Sequence, residues 1–148
     1  MVPDLSAADA KQLQTGIQQF NQGEYYACHD TLEAVWMTAP IAEKPFFQGI
    51  LQLAVALYHL SNHNWRGTAI LLGEGIQRLE PFEPSYHTVD VSALLDCADV
   101  WLTTVQQFGP DQTELLAAAL TQVQSGYPGP DQTAHLPKWE ISTVGDTT

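Results

Sequence analysis

Two stripes of polar side chains lie where helices ought to bury apolar ones. In EYYACHDTLEAVW, residues 24–36, a step of about 100° per residue puts Tyr25, His29, Leu32, Glu33 and Trp36 on one helical side. His29 and Glu33 are four residues apart and therefore neighbours on that side. Further on, Gln48, Gln52, Val55, His59 and His63 make a second stripe, polar on a helix that is otherwise apolar. A buried carboxylate or imidazole is costly unless it is hydrogen-bonded or paired. The two stripes are expected to face each other or a shared polar pocket, with His29 and Glu33 opposite Gln48, Gln52 and His59. His29, Glu33, Trp36, Gln48, Gln52 and His59 are the candidate ligand-binding residues, for a small polar molecule or an ion. A hydrolase-like enzyme using Glu33 or His29 as general base is the alternative, since a free imidazole titrates near pH ~6.5. A scaffold in which the network only fixes packing is the third reading. No catalytic residue and no cofactor is assigned.

Other chemistries fit less well. His59 and His63 have the i, i+4 spacing of a metal-binding pair, which His29 or Glu33 could complete. His63 lies between Asn62 and Asn64 at a helix end, where exposure is expected, so no metal site is assigned. The paired Glu-x-x-His helices of di-iron proteins are absent, and the glycines of GTAILLGEG are not followed by the Lys-Ser/Thr of a phosphate loop. Cys28 and Cys97 match no metal-site spacing and are expected to be reduced, buried thiols.

The elements that must carry these residues are helices, because no segment alternates with period two and helical periodicity recurs. Ser6 is placed to cap a first helix, about 7 to 20, which Asn21-Gln22-Gly23 ends. A second runs from about 24 to 38 and stops at Pro40. The third, about 43 to 62, accepts Pro45 in its first turn and is apolar nearly all round, so it is expected to be central and covered by its neighbours. Gly49 would let one neighbour approach closely. Asn64 caps a fourth helix, about 65 to 79, in which Gly67, Gly73 and Gly75 suggest tight packing. Asp90 caps a fifth to about Phe108, and Asp111 with Glu114 suggests a capping box for a sixth to about Gln124. The fold class is all-α: a bundle of five or six helices in one domain, residues 1–125, followed by an extended Pro/Gly-rich arm, residues 126–148.

Charge and hydropathy narrow the partners. The chain of 148 residues has 17 acidic side chains against five Lys and Arg, a formal net charge of −12. That field repels phosphate backbones and anionic headgroups, so neither nucleic acid nor a membrane is an expected partner. The start of the chain lacks a signal-peptide pattern, and the most apolar run, near residues 49–60, is shorter than the ~20 residues that span a bilayer. A cytoplasmic protein is expected. Tyr127, Leu136 and Trp139 of the arm need a surface to cover, and a homodimer is the expected way to supply one, with folding back onto the bundle as the alternative.

Taken together, YYACHDTLEAVW, then FFQGILQLAVALYHL, then NWRGTAILL resembles the domain of unknown function 309 family. The matching positions are Tyr26, His29, Leu32, Glu33, Trp36, Gln48, Gly49, Gln52, Leu53, Ala54, His59, Asn64 and Gly67, within residues 16–80. The chain departs from the family pattern at Asp30, usually Glu, and at Ala27-Cys28, more often Glu-Ala. The resemblance implies an all-α bundle and a set of marked positions, and it implies no reaction.

Overall fold

In a computed structural model, which describes residues 5–127 and 129–145, three polar side chains start helices as their positions predict. Ser6 Oγ accepts from the Asp9 amide (3.1 Å) and opens α1, Ala7–Asn21. Asn64 Oδ1 accepts from Gly67 (2.9 Å) and opens α4, Trp65–Leu79. Asp90 Oδ1 accepts from Ala93 (3.0 Å) and opens α5, Val91–Phe108. Each bond satisfies an amide that has no partner inside its helix. Between them lie α2, Tyr25–Thr38, and α3, Lys44–Ser61, with Pro45 in the first turn of α3. The last helix, α6, is Thr113–Gln124. Its predicted capping box does not form: residue 112 is Gln, its side chain caps nothing, and a 3₁₀ turn at Pro110–Gln112 leads in instead. No helix among the described residues is long and apolar enough to cross a membrane.

The helices pack in chain order, α1 on α2, α2 on α3, α3 on α4 and α4 on α5, with α6 returning to α3. Phe46, Phe47, Ile50, Leu53, Leu57 and Leu60 of α3 are fully buried. Glycine brings α3 and α4 together: a Cβ on Gly49 would lie 2.5 Å from Leu79 Cγ, and one on Gly75 would lie 2.8 Å from Leu53 Cδ2. Gly73 has nothing within 4 Å and takes no part in this contact.

A small hairpin interrupts the helices, where the sequence suggested no sheet. Strands β1, Ser85–Tyr86, and β2, Val89–Asp90, pair antiparallel with Ser85 opposite Asp90 and Tyr86 opposite Val89. Two residues per strand are too few to show alternation. His87 and Thr88 form the turn with φ of +45° and +66°.

The arm lies along the bundle of its own chain. Leu136, Trp139 and Ile141 belong to the hydrophobic core, and Trp139 packs edge-on to Phe20 and beside Trp101 at ring-centre distances of 6.0 and 6.1 Å. Two side-chain amides pair with the arm as a strand would. Gln124 accepts from the Trp139 amide (2.7 Å) and donates to its carbonyl (3.0 Å). Asn21 does the same for Ile141 (2.7 and 3.0 Å). Beyond it, the Asp90 amide donates to Ser142 O and the Val144 amide to Thr88 O, at 2.9 and 2.7 Å. Tyr127, expected as a third anchor, is 69% exposed. Residues 1–4 of the predicted leaderless start, and residues 128 and 146–148 of the predicted arm, lie outside the described residues.

Candidate functional site

A groove of about 430 Å³ runs between α2 and α3, lined by Glu33, Trp36, Met37, Gln48 and Leu51. Three of the six predicted site residues, Glu33, Trp36 and Gln48, therefore share one surface. Lys44 borders Trp36: its Nζ lies 4.2 Å from the indole centre and donates to the carbonyls of Trp36 (2.7 Å) and Met37 (3.3 Å). These carbonyls end α2, so the cation meets the negative end of the helix as well as the aromatic face.

The other three predicted residues are engaged nearby in different ways. His29 points Nε2 at Glu33 (3.2 Å) and Nδ1 at Asp30 (3.2 Å). Both ring nitrogens face carboxylates, and neither is left to take a proton from a substrate. The expected buried pairing across the two helices does not form here, because Glu33 is half exposed and its imidazole partner is on its own helix. His59 Nδ1 accepts from Asn64 Nδ2 (3.3 Å), the same side chain that caps α4. A Cβ on Gly67 would come within 2.9 Å of the His59 ring. His59, Asn64 and Gly67 thus form the joint between α3 and α4. Gln52 is buried, and its Oε1 has no partner among the described residues. His63 falls beyond α3 with φ of +60°, off the helical face that would pair it with His59. Among the described residues no three His, Cys, Asp or Glu side chains are placed to share a metal ion.

The thiols are not nucleophiles in waiting. Both are free, and burial pushes Cys28 and Cys97 up to about 12. Burial, assisted by Cys97, pushes the Tyr25 phenol up to about 12 as well.

One pair was missed by the sequence reading. Glu43, placed there at the plain start of a helix, is buried, and His87, placed in a loop, donates to it. These residues are 44 apart and share no local spacing, so no periodicity argument could join them. The visible signal was a carboxylate at the start of a helix whose next turns, Phe46, Phe47, Ile50 and Leu51, are largely apolar.

Comparison with known proteins agrees with the family resemblance over part of the chain. Residues 13–71 match the family model described as "Domain of unknown function (DUF309)". That segment holds α2, α3 and the start of α4, hence all six predicted site residues. An uncharacterized protein of Bacillus subtilis (strain 168), YpuF, is 38% identical over 58 residues, which are 38% of this chain and 33% of that protein. The match thus spans about a third of the relative's length. No solved structure matches.

Proposed function

We propose that the α2–α3 groove binds a small polar molecule carrying a cationic or hydrogen-donating group. The observation that carries this reading is the convergence of Glu33, Trp36 and Gln48 with Met37 and Leu51 around one opening of about 430 Å³. That size is within the usual range for small-ligand sites, and a few polar groups on an apolar wall are their usual make-up. The Glu33 carboxylate accepts only, so it selects donors and cations. Gln48 offers both an acceptor and a donor. Trp36, Met37 and Leu51 supply the apolar wall. His29 sets the Glu33 rotamer through its Nε2 contact, while His59 joins α3 to the start of α4 through Asn64.

A thermal-shift screen with small primary amines, amides and carboxylic acids tests it. Amines or amides should raise Tm in a concentration-dependent way, and Glu33→Gln together with Gln48→Ala should abolish the rise. A site occupied at 100 times its Kd adds about 2.7 kcal/mol. A screen in which no compound shifts Tm would favour the scaffold reading, for which the His59–Asn64–Gly67 joint is the specific support. The same reading places the protein in the cytoplasm, where its two unpaired thiols suit a reducing compartment. A homodimer is not part of it, because Trp139, on which that expectation rested, is buried in its own chain.

A further inference from the structure

Glu43 precedes α3 and is 3% exposed, and the imidazole of His87 is its hydrogen-bond partner. Nε2 of His87 donates to Oε1 of Glu43, and the Tyr86 hydroxyl lies 3.5 Å from the same oxygen. A carboxylate can only accept, so Nε2 carries a ring proton, and in the neutral ring the lone pair is on Nδ1. The two nitrogens leave the ring in nearly opposite directions, which turns Nδ1 away from Glu43. Nδ1 makes no hydrogen bond to another described residue. The ring is held firmly: it stacks on Phe47 and meets Phe46 edge-on, at centre distances of 6.3 and 5.8 Å.

The backbone there is unusual too. His87 and Thr88 both have positive φ in a turn that normally takes Asn-Gly, and a β-branched residue in that region is an outlier. Such strain persists only where surroundings over-determine it, and it gathers at functional sites.

His87 lines a second groove, of about 1160 Å³, between α1 and the arm. Leu13, Gln14, Ile17 and Gln18 form one wall, Ile141 and Ser142 the other. Among the described residues no Lys or Arg lines it and Glu140 is its one carboxylate, so it is ill suited to anions. Its volume and its apolar and neutral amide side chains suit an uncharged acyl chain.

We propose that this groove is a hydrolytic site for uncharged esters, with His87 as general base and Glu43 as its positioning residue. Nδ1 takes a proton from water as the water oxygen bonds to the ester carbonyl carbon. The tetrahedral intermediate collapses by breaking the bond to the alkoxide, which receives the proton back from the imidazolium. The products are a carboxylic acid and an alcohol, and no other reactant is consumed. Glu43 fixes the tautomer before the step and faces the positive ring during it, a role a buried carboxylate performs in hydrolytic triads. The proposal is independent of the α2–α3 groove.

The test uses the full chain with p-nitrophenyl acetate and p-nitrophenyl butyrate. Wild-type protein should release nitrophenol above buffer, and His87→Gln should lower the rate about 100-fold, within the range general-base catalysis supplies. His135→Gln should leave the rate unchanged. Glu43→Gln should lower kcat while changing KM little. Imidazole ¹⁵N shifts of the wild-type protein should show the proton on Nε2, a readout that survives if a variant fails to fold. No turnover of either ester, turnover retained in a folded His87→Gln, or a proton on Nδ1 would each overturn the proposal.

Discussion

Whether a charged side chain on a helix is structural or available to a ligand is decided by its exposure and partners. Glu33 shows this. It sits among apolar residues in sequence, yet it is half exposed and its partner is His29 on the same helix, at 3.2 Å. A pair of that kind is screened by solvent and contributes little. Glu33→Ala should therefore change unfolding free energy by less than about 0.5 kcal/mol in urea titrations. A loss of about 1–3 kcal/mol would mean instead that the carboxylate holds buried partners. Gln52 should respond the other way. Its Oε1 is buried without a partner among the described residues, so Gln52→Met should raise stability by about 1 kcal/mol. A fall in stability on that substitution would show that Oε1 is satisfied by bound solvent or ligand.

At the scale of elements, helix starts were legible because caps are local. Ser6, Asn64 and Asp90 each act within three residues of themselves. The sixth helix was placed correctly but its cap was not, since Asp111 falls within the 3₁₀ turn rather than before the helix. The hairpin was missed because its strands are two residues long, and the Glu43–His87 pair because it depends on that hairpin. Of the predicted site, the groove residues Glu33, Trp36 and Gln48 were legible from helical spacing, which fixes a face. Spacing does not say what lies opposite that face, so the roles of His29 and His59 had to come from the structure. Gly49 tests the packing side of the same argument. An added Cβ would lie 2.5 Å from Leu79 Cγ with Gly75 O at 3.3 Å, so α3 and α4 would have to part. Gly49→Ala should cost about 1–3 kcal/mol despite the better helix propensity of Ala, read as a lower Tm by circular dichroism. A neutral or stabilising result would mean the Leu79 side chain can swing aside.

At the scale of the whole molecule, stability should fall in alkali. Folding raises Cys28 from 9.0 and Tyr25 from 10.0, each to about 12, through burial. The unfolded chain therefore loses these protons first, and the stability they contribute is complete below pH 9 and lost as pH rises toward 12. Cys28→Ala should flatten the decline in urea midpoint between those limits. The arm carries the second whole-molecule prediction. Trp139 is fully buried against Phe20 and Trp101, and the amides of Gln124 and Asn21 tie its backbone and that of Ile141. Trp139→Ala removes a large buried side chain and should cost about 3–5 kcal/mol. Because the contact is within one chain, the wild-type and variant midpoints should both be independent of protein concentration. If the arm instead joined two copies, the wild-type midpoint would climb with concentration and the climb would vanish in the variant. Urea titrations over a hundredfold concentration range, with tryptophan fluorescence as the signal, separate the two outcomes.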